Sequence, residues 1–251
     1  MSSLFVILIG LIIGSFLNCL IWRLYKDESL TGRSYCPKCR KTIAWYDNIP
    51  LLSFVALGGR CRHCHKSIAW RYPLVELAAA VLFLLTFLKD AASPDFALLL
   101  TRDWLIVAAL IVIFVYDATW QIVPMLFIWP MTAAIFILNL LLGVPLLTLL
   151  LFGAVGAAFF LVQYVLTRRR GVGEGDIWLG LMFGLTFPSG LLLLILLVVS
   201  YGAGTLASLI LMASGRKGWK EKIALGPFLA FGAIITLIWG EVIIRHIFRT
   251  F

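Results

Sequence analysis

Charge is what this sequence has little of: 13% of its 251 residues are charged, and acids are scarcer than bases, with 12 Asp and Glu against 21 Lys and Arg. A soluble domain carries about a quarter of its residues as charges, so water is not the main solvent of this chain. Histidine occurs three times, and no Ser or Cys nucleophile with a His partner is evident, which argues against an acyl-enzyme hydrolase. Short alternating segments of barrel strands are missing, as is the glycine-rich strand-to-helix fingerprint of a soluble methyltransferase.

What the sequence has in excess is apolar length. Hydrophobic residues make up 62% of the chain and mean hydropathy is +1.03. Many of the apolar runs reach the roughly 20 residues that cross a hydrocarbon core of about 30 Å. These observations predict an all-α polytopic membrane protein in the lipid bilayer, because in lipid a helix satisfies its own backbone. About eight spans are expected, near 4–22, 73–88, 103–117, 124–142, 145–166, 177–195, 197–213 and 226–244. The break between the sixth and seventh is the faintest, since Pro188, Ser189 and Gly190 interrupt one continuous run. The first stretch, from Leu4 to Ile21, has no basic residue before it and no small-residue cleavage site after it, so it reads as a retained span.

The net charge of +9 and pI of about 9.6 do not indicate nucleic acid, because the basic residues flank apolar segments. That is a topology signal. The loop after the first span holds Arg23, Lys26, Arg33, Lys38, Arg40, Lys41, Arg60, Arg62, Lys66 and Arg71 against Asp27, Glu28 and Asp47, which places it in the cytoplasm. Counting spans onward puts Arg168, Arg169 and Arg170 on the same side, with Arg216, Lys217, Lys220 and Lys222. The C-terminal Arg245, His246 and Arg249 fall outside.

Four of the five cysteines form two C-x-x-C knuckles, Cys36-Pro-Lys-Cys39 and Cys61-Arg-His-Cys64. Reduced thiolates at this spacing predict a closed, structural zinc site with four cysteine ligands in a cytoplasmic loop of about residues 23–72. Two disulfides or a redox pair are the alternatives, disfavoured by a reducing cytosol and by the lack of a βαβ pattern. His63 and His65 read as surface residues of the second knuckle. Cys19, inside the first span, reads as a small packing residue.

Two acids stand at predicted span ends. Asp117 closes the third span, and Asp176 ends the stretch Gly171-Val-Gly-Glu-Gly-Asp176 at the start of the sixth. The predicted topology brings both to one depth on the cytoplasmic side. An ionisable residue at membrane depth is costly and points to function. A pair of carboxylates can hydrolyse a peptide when one is ionised and the other protonated, a split that like charges at short range enforce. Gly173 and Gly175 would let a peptide backbone lie beside the carboxylate. Two other readings stay open at this point: Asp176 caps a helix and Asp117 is solvated at a helix end, or the acids relay protons in a transporter. A noncatalytic scaffold acting through the basic loop is a third.

From Gly14 to about Glu241 the chain resembles the type IV prepilin peptidases, bacterial membrane enzymes that process pilins and pseudopilins. The residues that carry the likeness are Gly14-Ser-Phe-Leu-Asn18, Ile21-Trp-Arg-Leu24, Arg33-Ser34, the two knuckles, Asn48-Ile-Pro-Leu-Leu-Ser53 and Arg71-Tyr-Pro-Leu-Val-Glu76. Further on they are Asp117 with Pro124, Gly173-Glu-Gly-Asp176, Leu225-Gly-Pro227 and Trp239-Gly-Glu241. The resemblance implies cleavage of a prepilin or pseudopilin leader after glycine, at the cytoplasmic face of the inner membrane, by Asp117 and Asp176. It also implies methylation of the new N-terminal residue with S-adenosylmethionine. On this reading residues 1–102 form a methyltransferase-like region with the zinc loop, and residues 103–251 an aspartyl peptidase region similar in its Gly-x-Gly-Asp motif to presenilin. Glu76 is the candidate carboxylate for the cofactor, with pairing to Arg71 as the alternative, and Asn18 is either a site residue or a helix–helix hydrogen bonder. The chain departs from the family where Pro124 precedes Met125 rather than Asp, and where Tyr25 and Gly32 replace proline.

Overall fold

A computed structural model describes residues 2–169, 171–214 and 224–249. Its elements are α1 (Ser3–Lys26), a 3-10 turn (Trp45–Asn48), α2 (Leu52–Ala56), α3 (Arg71–Asp90), α4 (Phe96–Trp120), α5 (Met125–Leu141), α6 (Leu146–Leu166), α7 (Glu174–Thr186), α8 (Gly190–Ala213) and α9 (Gly226–Arg249). The fold is all-α, and the only β pairing among the described residues is two isolated bridges in the cysteine loop, Tyr35 with Thr42 and Arg60 with Ser67.

Among the described residues six helices, α1, α3, α4, α6, α8 and α9, are long and apolar enough to cross a membrane. The eight expected spans each have a helical counterpart, but two are short. With 17 residues α5 is about 25 Å long and with 13 residues α7 is about 20 Å, both less than a hydrocarbon core. The expected boundary at residues 195–197 is corrected. The sixth helix stops at Thr186 and the seventh starts at Gly190, so residues 195–197 lie inside α8. Pro188 cannot donate to a helical ladder and disfavours helix in the residue before it, so even this faint signal ends the helix. The basic residues Arg170, Arg216, Lys217, Lys220 and Lys222 used in the topology lie outside the described residues.

The chain divides into two compact units, Met1–Ala91 and Ala92–Phe251. In the first, α1 crosses α3 closely because α1 has glycine at the contact. A Cβ on Gly14 would sit 2.7 Å from the Glu76 Cα, and one on Gly10 would sit 2.5 Å from the Ala80 Cα. Dispersion and close backbone approach hold helices together where lipid removes the hydrophobic drive. At the end of α1 the buried Arg23 guanidinium donates to four successive carbonyls, Leu30 (2.6 Å), Thr31 (2.9 Å), Gly32 (3.1 Å) and Arg33 (3.1 Å). This clasp folds the chain back onto α1 before the first knuckle.

In the second unit, parity orders the ends. Helix α4 ends where α5 begins, α6 returns to that end, α7 leaves it, α8 returns, and α9 starts there. The C-terminus of α4 therefore meets the N-termini of α7 and α9. The opposite end is tied by a buried polar chain that no sequence period announces. Arg102 donates to Asp103 (Nε 2.8 Å) and to Asn139 (3.2 Å), and Asn139 donates to the Leu185 carbonyl (2.7 Å). Between these ends α6 and α7 touch backbone to backbone: Gly156 packs on Gly180, and Gly184 on the Phe152 carbonyl. Gly180→Leu forces the two helices apart, and overpacking of this kind costs about 1–3 kcal/mol. The variant is expected to melt at lower temperature in detergent, as followed by circular dichroism, whereas Gly202→Leu, with open space around its Cβ position, is expected to melt like the parent.

Candidate active site and metal centre

Both aspartates are buried, and each is held by a backbone N–H at a helix N-terminus. Asp117, three residues before the end of α4, accepts from the Gly226 N–H through Oδ2 at 2.7 Å, a bond across 109 residues. Gly226 opens α9, so the positive end of that helix faces the carboxylate. Asp176, in the first turn of α7, accepts from the Gly173 N–H through Oδ2 at 2.9 Å. Gly173 is the N-cap, so this is one half of a capping box, the half that glycine's missing side chain permits. Helix parity brings the two carboxylates to one end of the unit, and each spends Oδ2 on a backbone donor while keeping Oδ1 clear of hydrogen bonds to other described residues.

Three glycines frame the pair differently. A Cβ on Gly226 would fall 2.6 Å from Asp117 Oδ2 and 2.9 Å from its Cγ, so only glycine admits the carboxylate there. The space beside Gly175 is taken by the chain itself, with Val123 Cγ2 at 2.7 Å and Met125 Cε at 3.3 Å from a Cβ built at that position. Gly173 has room, its nearest neighbour being Asp176 Oδ2 at 3.5 Å. The Gly226 contact was not visible in the sequence. Its only sign was a glycine–proline step at a helix start, where glycine is one of several ordinary cap residues.

The four knuckle cysteines converge. All four sulfurs lie within 4.8 Å of one another, with Cys36 and Cys64 4.0 Å apart, far beyond the roughly 2.05 Å of a disulfide. A tetrahedron with Zn–S of about 2.3 Å has edges near 3.8 Å, so the cluster fits a four-coordinate metal. The knuckles are two copies of one fold. Cys36 N–H donates to Lys41 and Cys61 N–H to Lys66, at 2.9 and 3.0 Å, and Arg40 and His65 donate back to Cys36 and Cys61. Arg40 (φ 61°) and His65 (φ 55°) occupy equivalent left-handed positions. His63 and His65 are exposed and outside the sulfur cluster. Backbone N–H donors of Cys64 and His63 draw the Cys61 thiol down to about 7, while burial and the neighbouring sulfurs push Cys64 up to about 11, so the metal-free sulfurs give up their protons one at a time.

The first unit holds a second polar group. Glu76, buried on α3, accepts the Leu51 N–H at 2.9 Å. Leu51 has φ 59° and ψ −49°, and Leu52 N–H donates to the Pro50 carbonyl at 2.6 Å. This is a γ-turn in its rare positive-φ form. Asn18 Nδ2 donates to the Tyr72 carbonyl at 3.0 Å, while its buried Oδ1 has no hydrogen-bond partner.

Comparison with known proteins fits both units. A model of the bacterial peptidase A24 N-terminal domain matches residues 8–89, and the type IV leader peptidase family matches residues 104–212. The chain belongs to the prepilin leader peptidase family. It is 31% identical over 269 residues to a prepilin leader peptidase/N-methyltransferase of Pseudomonas aeruginosa, covering 95% of this chain and 91% of the relative. A protein of the same name from Aeromonas salmonicida is 33% identical, with 98% and 93% covered. One from Myxococcus xanthus is 36% identical over 86% of this chain, but that match spans 65% of the relative's own length. No solved structure gives a significant match.

Metal analysis of the purified chain is expected to find one zinc per molecule, and Cys61→Ser to lose it. Thiolate ligands compete with protons for the metal, so zinc is retained at neutral pH and released as the pH falls into the acid range. A chelator-accessible dye reports the release.

Proposed function

We propose that this chain is a membrane aspartic endopeptidase that removes the leader of type IV prepilins or pseudopilins after glycine, at the cytoplasmic face of the bacterial inner membrane. The observation that carries the reading is the buried Asp117 and Asp176 pair, brought to one end of the bundle by helix parity and each anchored through a single oxygen. One carboxylate, ionised, takes a proton from water as its oxygen attacks the scissile carbonyl. The other, protonated, gives its proton to the carbonyl oxygen as negative charge develops there, forming a gem-diol. Collapse of the diol breaks the C–N bond: the amine leaves with the proton held by the first carboxyl, and a diol hydroxyl returns its proton to the second. The helix N-termini at Gly226 and Gly173 favour charge at the site while burial opposes it, so one shared proton is the natural state of the pair. Gly173, with space beside it, is the point where the substrate backbone approaches.

The N-terminal unit is assigned the second activity, transfer of a methyl group to the new N-terminal amine, and the cysteine cluster a structural zinc. S-Adenosylmethionine would supply the electrophilic methyl. The residues that fit it are Asn18, whose buried Oδ1 lacks a hydrogen-bond donor, and the Glu76 carboxylate on the facing helix. Both are acceptors suited to the ammonium or amine groups of such a cofactor.

Asp117→Asn and Asp176→Asn are each expected to lower prepilin cleavage by on the order of 10²–10⁴-fold, the range for removing a general acid or base, while leaving the fold and the zinc intact. Gly226→Ala pushes on Asp117 and is expected to lower cleavage without removing a carboxylate. A gel-shift assay on a purified prepilin reads all three, and undiminished cleavage by both Asn variants would overturn the assignment. Asn18→Leu is expected to weaken cofactor binding in calorimetry and to leave an unmodified pilin N-terminus in mass spectrometry, with cleavage unchanged.

A further inference from the structure

The loop that carries the two knuckles exposes an apolar surface. Trp45 is 77% exposed, Leu52 69%, Val55 76% and Trp70 71%, with Tyr46 and Ile49 also exposed. These residues come from the 3-10 turn, from α2 and from the residue just before α3. Leu52 and Val55, three apart, share one face of α2.

The position of this surface is set by bonds to a membrane helix. Leu51 N–H is held by Glu76, which lies five residues after Arg71 and so about 7.5 Å along α3 from its start. The Phe54 ring packs on Trp70, with centroids 5.1 Å apart. Helix α2 therefore lies beside the first turns of α3, one of the six helices long enough to cross a membrane. The loop is also returned to that level at its other end by the Arg23 clasp on the last turn of α1. The same loop carries the exposed cations Lys41, Arg60 and Lys66. Arg62 is occupied differently, paired with Asp47 at 2.6 Å and lying over the Tyr46 ring, and so it locks the aromatic pair in place. Exposed Trp and Tyr with a leucine–valine face at the mouth of a membrane helix, with Lys and Arg alongside, is the composition of a bilayer interface.

We propose that α2 with its flanking aromatics is a membrane-surface anchor, inserted at the headgroup level of the bilayer that α1 and α3 cross, and that it fixes the height of the cysteine cluster above the lipid. The γ-turn at Leu51 serves this placement. It turns the chain sharply after Pro50 so that Leu52 and Val55 point away from α3, and the Glu76 carboxylate holds the turn.

The test uses the full chain in nanodiscs of phosphatidylethanolamine and anionic phosphatidylglycerol. A benzoylphenylalanine photocrosslinker at Val55 is expected to give adducts of lipid mass, and one at the exposed Lys38, on the first knuckle, to give far fewer. Adducts at Val55 to residues 92–251, to a second copy or to an added prepilin, or the absence of lipid adducts, would overturn the proposal. A second readout needs no bulky label. In discs with brominated acyl chains, Trp45→Phe/Trp70→Phe is expected to lose a lipid-quenched component of the fluorescence. Loss instead of a component quenched only by aqueous iodide would place these rings in water and overturn it.

Discussion

A carboxylate at the edge of an apolar bundle must be met by donors or it will not stay charged, and that requirement organises the second unit. Neither Asp117 nor Asp176 has a lysine or arginine counter-ion among the described residues; each is met by a backbone N–H at a helix N-terminus. A helix end provides donors and a favourable dipole without adding a countercharge that would pin the carboxylate permanently ionised. The pair can therefore share a proton, which aspartyl hydrolysis needs and which a salt bridge to either acid would obstruct.

Polar contacts also mark both ends of the short helix α7. Its first turn holds Asp176, and its last turn gives the Leu185 carbonyl to Asn139, which in turn accepts from Arg102 beside the buried Asp103. Along α4, Asp103 and Asp117 are fourteen residues apart, about 21 Å, close to the 20 Å length of α7. The Arg102–Asn139–Leu185 chain ties α4 to α7 through α5 at one end, and the Asp117–Gly226 bond ties α4 to α9 at the other. The glycine contacts between α6 and α7 remove the side chains that would keep the backbones apart.

Helical architecture, the cysteine cluster and two acids drawn to one end of the second unit were legible because each leaves a local mark: an apolar run, a C-x-x-C spacing, an acid where acids are rare. The contacts that position them were not. Gly226 reaches Asp117 across 109 residues, Arg23 acts through main-chain carbonyls that carry no residue signature, and the Arg102–Asn139 contact pairs side chains that look incidental in their own helices. The misplaced boundary at residues 195–197 has a similar origin. Hydropathy is continuous from α7 into α8, and only the stereochemistry of Pro188 separates them. Glu76 stood out as a candidate cofactor carboxylate but not as the support of the turn at Leu51, since a γ-turn depends on backbone torsions that composition does not encode.

The metal site and the membrane are linked by the order in which the loop is secured. A segment of this size has too little apolar material for a core, and its sulfur cluster joins one knuckle to the other. Attachment to the helices comes separately, through Arg23 to residues 30–33 before the first knuckle and through Glu76 to Leu51 between the knuckles. Losing the metal would free the knuckles from each other but leave both attachments in place. The loop then stays near the membrane while its two halves lose their mutual geometry. The cysteine cluster therefore sets internal shape and the buried Arg23 and Glu76 set location, and the two functions rest on different residues.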